Sequence, residues 1–297
     1  MSSISKGISL WFRVIRPQTL FASLIPVLVA IVVVSQGSLP IDSTTATFTA
    51  MCAVSLQILS NLINDYYDFQ RGADKAGRTG YHRMMAEGEV SIPAMQCACC
   101  IAAFCACAFG LPLVFTGGWV ILAIGLSALL FAWLYTATSH SLAYLGLGDI
   151  FVFLYYGVIA SGGTAYLLLS ATGSYPQLTE SIMIKSYYAG AVCGLISMCV
   201  LMINNLRDVE DDAPVGKRTL PVRIGIHASE GIMLVCVMLM PCFAILAFGW
   251  SLPALIIIPA SALWLMTIKS KGAVYNRCLL FAGLINVVYF VLCLSII

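Results

Sequence analysis

Nine apolar runs dominate this chain, and they decide what it can fold into. They cover approximately 18–36, 44–67, 92–114, 118–136, 147–170, 186–206, 229–248, 252–268 and 276–297. A helix needs about 20 mostly apolar residues to cross a bilayer. The runs are too long for barrel strands and lack polar–apolar alternation, so helix is the assignment they allow. Composition agrees: 61% of residues are hydrophobic and 9% charged, with a mean hydropathy of +0.97. A soluble domain carries about 25% charged residues, so the solvent expected here is lipid. The expectation is an all-α, polytopic membrane protein of about nine spans, forming a single membrane-embedded domain over residues 1–297.

The net charge of +2 says little, but the placement of charge says more. Threading nine spans from a cytoplasmic N-terminus puts 14 of the 15 Lys and Arg on one side, with Lys185 opposite. Cytoplasmic loops carry such an excess. The predicted location is the cell (inner) membrane, multi-pass, with the N-terminus and the functional face in the cytoplasm. No cleavable leader is expected, because the first apolar run is long enough to span and no small-residue cleavage site follows a short core. Two of the inner loops, about 68–91 and 207–228, are long and polar, as functional loops often are. Twelve cysteines are present, several crowded at Cys97, Cys99, Cys100, Cys105 and Cys107. Their spacing lacks paired CxxC motifs and nearby His, so they read as small helix-packing residues.

The chain repeats itself. Leu62-Ile63-Asn64-Asp65-Tyr66-Tyr67-Asp68 ends the second run, and Met202-Ile203-Asn204-Asn205-Leu206-Arg207-Asp208 ends the sixth. Arg78-Thr79 and Arg218-Thr219 follow at the same distance, and the offset is 140 residues throughout. This predicts two related halves, an arrangement that often places a membrane protein's site between them. Asn64 and Asp68 share a helix face, Asp65 borders it, and Asp74 follows in the loop. Asn204, Asp208 and Asp212 form the matching stripe. The donors are all oxygen, which favours Mg²⁺ over zinc or copper. Two such clusters suit two metal ions clamping one diphosphate, with Arg78, Arg83, Lys217 and Arg218 on its remaining oxygens. Asp68 and Asp208, equivalent by the repeat, are the metal-binding pair on which catalysis should depend. Loss of diphosphate from an allylic lipid leaves a carbocation, and Tyr66, Tyr67, Tyr135, Tyr155 and Tyr156 are candidate shields for it.

At these residues the chain resembles the UbiA superfamily of intramembrane prenyltransferases, and within it the 1,4-dihydroxy-2-naphthoate polyprenyltransferase branch. Four stretches carry the resemblance: Arg16-Pro17-Gln18-Thr19-Leu20; Asn61 to Asp68 with Gly72-Ala73-Asp74 and Arg78; Gly146 to Phe153; and Asn204 to Asp208 with Asp212, Gly216 to Leu220 and Val222 to Gly225. Gly72 stands where the superfamily motif NDxxDxxxD has its last Asp, and Val200 and Asn204 replace a Tyr and Lys found in many relatives. The resemblance implies transfer of a polyprenyl chain from its diphosphate to an aromatic acid, with loss of diphosphate and CO₂, giving demethylmenaquinone. It implies Mg²⁺ as cofactor, membrane lipid as surroundings and no nucleic-acid partner. Asp149, apart from both clusters, is the catalytic candidate on the acceptor side, able to bind or deprotonate a naphthol. Two other readings stay open: a superfamily enzyme with another acceptor (4-hydroxybenzoate, homogentisate, a tetrapyrrole or a glyceryl phosphate), and a cation transporter.

Overall fold

The computed structural model describes residues 3–72, 83–137, 141–173 and 176–297. These are helices joined by short connections, with no strand among the described residues. The longer helices are α1 (Ser3–Ile15), α2 (Pro17–Ser35), α3 (Ser43–Gln70), α4 (Ile92–Leu134), α5 (Gly148–Thr172), α6 (Pro176–Arg207), α7 (Ile226–Phe248), α8 (Ile257–Ile268) and α9 (Tyr275–Leu294).

Helix α4 is two spans. Its 43 residues exceed any bilayer crossing, and Gly118 inside it has φ 62° and ψ −148°, which no helix contains. Contacts on α3 show that the chain doubles back there. Gln96 donates to the Tyr66 hydroxyl at 2.9 Å, and Trp133 donates to the Tyr67 hydroxyl at 3.1 Å. Residues 37 apart in one element thus meet neighbouring rings at the same end of α3, so Gly118 turns a hairpin. With this hairpin and the 17-residue apolar stretch Leu252–Ile268, the described residues contain nine apolar segments. The expected span count stands.

Local sequence sets the helix ends. Pro17 occupies the first turn of α2, where a missing N–H costs nothing. The Asp42 carboxylate caps α3 by accepting from the Thr45 N–H at 2.7 Å, and α5 ends on Gly173 with φ 64°. One element was not anticipated: α1 is a separate, strongly amphipathic helix. Val14 is buried while Ile8 and Phe12, four apart, are exposed, as in helices lying in the bilayer interface.

Helix α6 is the axis of the bundle. Its buried Cys193, Ile196, Ile203 and Leu206 pack with α2, α5, α7 and α9 in one continuous core. The contact between α6 and α5 is backbone against backbone. A Cβ on Gly194 would lie 2.5 Å from the Phe153 carbonyl oxygen, and one on Gly157 would lie 2.7 Å from that of Gly190. Within α5, residues Leu154–Ile159 form a π-helical turn.

Candidate active site

Both carboxylate stripes meet at one end of the bundle. Asp65 and Asp68 lie in the last turns of α3 and both are buried. Asp65 accepts from Arg16 and from Arg83. Asp68 accepts from the Lys217 ammonium at 2.9 Å, with Arg83 3.9 Å away. Burial alone would lower the Lys217 pKa, but Asp68 and Asp212 outweigh it and hold the ammonium above its ordinary value. Lys217 therefore stays charged across the neutral range and ties the second long loop to the first cluster.

In the second stripe, α6 ends at Arg207 and a short helix Val209–Asp212 follows. The spacing survives the break, because Asp208 N–H donates to the Asn204 carbonyl and Asp212 N–H to the Asp208 carbonyl, at 3.2 and 2.8 Å. Asp208 and Asp212 are buried. Arg207 grips Asp208 with two parallel bonds of 2.8 Å. It also donates to Asn204 Oδ1 at 2.7 Å and to Asn276 Oδ1 on α9 at 2.9 Å. A fork of this kind fixes the carboxylate's rotamer as well as neutralising it.

Asn64, at the same end of α3, accepts from the Thr136 hydroxyl at 2.7 Å. It lines a cavity of about 1630 Å³ that opens between the stripes. Arg16, Asn204, Arg207 and Asn276 share that mouth. On α3 the lining runs from Asn64 to Thr49, about 22 Å of helix rise. Below the mouth the wall is mostly apolar, with Leu122, Leu129, Val200, Leu280 and Leu284 among its residues.

The predicted site residues fall into four groups. Asn64, Asp65, Asp68, Arg83, Asn204, Asp208, Asp212 and Lys217 are brought to one end of the bundle. Asp74 and Arg78 lie outside the described residues. Arg218 is exposed, and its carbonyl accepts from Arg223 at 3.1 Å. Asp149 is buried in the first turn of α5, with no hydrogen-bond partner for its Oδ1 among the described residues. Like Asp65, Asp68, Asp208 and Asp212, it is not among the cavity's lining residues, which the stripes reach through Asn64 and Asn204. It stands behind the wall, within electrostatic range of Tyr135, Cys199 and Cys236. Of the candidate aromatic shields, Tyr135, Tyr155 and Tyr156 line the cavity. Tyr66 and Tyr67 instead serve the α3–α4 contact.

Sequence reasoning missed Arg16 and Arg207 as site residues. Pro17 disfavours the helical region for the residue before it, and Arg16 takes φ 56° and ψ 68°, which breaks α1 from α2 beneath Asp65. Arg207 is adjacent to Asp208, and its folded-back guanidinium is not visible in any spacing rule. Among the described residues no three His, Cys, Asp or Glu side chains converge as a ready metal cluster. Each stripe offers two buried carboxylates and one amide instead. That set is all oxygen, and it suits a hard cation that completes its shell with water and phosphate.

Comparison with known proteins agrees with this geometry. Residues 23–290 match the UbiA prenyltransferase family. A 1,4-dihydroxy-2-naphthoate octaprenyltransferase of Escherichia coli (strain K12) is 35% identical over 72% of this chain and 68% of its own length. The Haemophilus influenzae protein of the same name is 30% identical over 80% and 75%. A UbiA homologue from Archaeoglobus fulgidus, solved bound to GPP and Mg²⁺, has the same fold, with a TM-score of 0.65 at 15% identity over 96% of this chain and 98% of that one. This chain is a multi-pass membrane protein belonging to the UbiA prenyltransferase family.

Proposed function

We propose that the protein transfers a polyprenyl chain from its diphosphate to 1,4-dihydroxy-2-naphthoate, releasing diphosphate and CO₂ and giving demethylmenaquinol, the hydroquinone form of demethylmenaquinone. The single observation that carries the reading is the meeting of two carboxylate stripes over a long apolar cavity. The polar mouth suits a diphosphate, and the cavity below suits an isoprenoid tail. The names borne by relatives of 28–35% identity supply the acceptor.

In this reading Asn64, Asp65, Asp68 and Asp74 hold one Mg²⁺, and Asn204, Asp208 and Asp212 hold the other. When bound, Mg²⁺ supplies charge neutralisation for the departing diphosphate. Arg83 and Lys217 bind diphosphate oxygens directly, exchanging their carboxylate contacts for phosphate ones. Arg78 and Arg218 are the further candidates for its remaining oxygens. The C–O bond at the first prenyl carbon breaks, and its electron pair leaves with diphosphate. The carboxyl-bearing ring carbon then bonds to the prenyl carbon. Loss of the carboxylate as CO₂ returns an electron pair to the ring, so no ring proton has to be removed. Tyr135, Tyr155 and Tyr156 present π faces to the cation and exclude water. The mouth faces the cytoplasm, as the placement of Lys and Arg predicts.

The test uses purified protein with a polyprenyl diphosphate and Mg²⁺, offered 1,4-dihydroxy-2-naphthoate or 4-hydroxybenzoate in turn. The expected result is prenylated product from the naphthoate alone, with one diphosphate and one CO₂ per turnover. Product from 4-hydroxybenzoate alone would reject the acceptor assignment.

A further inference from the structure

Where the acceptor ring lies is the open question in that reading. Four aromatic side chains gather on one side of the cavity. The Phe131 ring lies 4.6 Å from Phe151 and 5.2 Å from Tyr155, centroid to centroid. Phe151 and Tyr155 are one turn apart on α5, with planes only 15° apart. Tyr135, one turn beyond Phe131, completes the group, and all four line the cavity. Tyr155 lies in the π-helical turn Leu154–Ile159, and its neighbour Tyr156 lines the cavity as well. Such turns are frequent at functional sites.

Tyr135 also locates this wall relative to the chemistry. The next residue, Thr136, is bonded to Asn64. The Tyr135 hydroxyl lies against Gly148, where an added Cβ would come within 3.0 Å of it. It is within electrostatic range of Asp149, Asp68 and Asp212 together. Through the Thr136–Asn64 bond it sits at the Asn64 side of the cavity mouth, beside the first carboxylate stripe, where the first prenyl carbon is released if the diphosphate is clamped there. An acceptor stacked on this wall has its ring beside that carbon.

We propose that Phe131, Phe151 and Tyr155 form the docking wall for a flat hydroxynaphthoate, and that the Tyr135 hydroxyl is the polar group that reads the acceptor's ring oxygen. The inference rests on the proposed prenyl transfer. Aromatic rings offer face and edge contacts matched to a bicyclic acceptor, whereas an isoprenoid tail needs only apolar volume. Asp149, buried behind Tyr135, is a positioning residue: it acts on the acceptor through the phenol and does not touch it.

The experiment measures binding of 1-hydroxy-2-naphthoate, 2-naphthoate and geranyl diphosphate with Mg²⁺ to the purified full chain. Phe151→Leu and Tyr155→Leu are expected to weaken both naphthoates about tenfold and leave geranyl diphosphate unchanged. Tyr155→Phe, which keeps the ring, should bind like wild type. Tyr135→Phe should weaken 1-hydroxy-2-naphthoate about tenfold but not 2-naphthoate, which lacks the hydroxyl. Unchanged naphthoate binding in the Leu variants would overturn the wall. So would an equal loss of geranyl diphosphate, which would make it a tail-binding surface. If wild type binds geranyl diphosphate but neither naphthoate, the acceptor assignment itself fails, and the wall with it.

Discussion

At the scale of single residues, the site is a set of buried carboxylates, three of them held by named cations. Asp65 has Arg16 and Arg83, Asp68 has Lys217, and Asp208 has Arg207. Asp68→Ala and Asp208→Ala should each lower turnover by about 10² to 10³, the scale seen when one preorganised stabiliser of transition-state charge is removed. Both proteins should remain membrane-inserted and monodisperse. Turnover near wild type at limiting Mg²⁺ in either variant would refute the paired clamp. Arg207 makes a different prediction. Arg207→Leu takes both bonds of the fork from the buried Asp208 carboxylate, and breaking a buried ion pair typically costs about 3–5 kcal/mol. It should lower the unfolding midpoint of the purified protein, and Asn276→Ala, which removes one of the four bonds, should lower it less. Equal midpoints for wild type and Arg207→Leu would show that the fork contributes nothing.

At the scale of elements, the apolar runs were legible because length and charge alone define a span. The break at Gly118 was legible too, as a gap between two runs in α4. Helix α1 was not, because 13 amphipathic residues fall below the length of a crossing and its faces emerge only from periodicity. The π-turn was hidden for another reason: hydropathy is blind to which carbonyl an N–H chooses. It lies at the close approach of α5 to α6, where Gly157 of the turn meets Gly190 and Gly194. Gly194→Leu must force these backbones apart, since the atom met at 2.5 Å is a carbonyl oxygen and not a flexible tip. It should displace Tyr155 and Tyr156 from the cavity and depress turnover more than geranyl diphosphate binding, measured side by side. Wild-type turnover in that variant would show that the close packing is dispensable.

At the scale of the whole molecule, the 140-residue repeat foretold that α3 and α6 would bring their ends to one site. It did not foretell that Asp149 stands behind the cavity wall, because placing a side chain relative to a cavity requires knowing which helices flank it. The charge bias predicts one orientation. With native thiols removed, a cysteine at the exposed Lys271 should react with an impermeant maleimide only after the cytoplasmic face is opened, and a cysteine at the exposed Lys185 should react in intact cells. The reverse pattern would invert the protein.

Joining of a polyprenyl tail to a naphthoate is tested by expression in a bacterial host lacking its own naphthoate prenyltransferase, followed by mass spectrometry of the extracted lipid quinones. Demethylmenaquinone and menaquinone should return with the wild-type chain and not with Asp68→Ala. Absence of both quinones, with the protein present in the membrane and its naphthoate and prenyl diphosphate precursors accumulating, would contradict it.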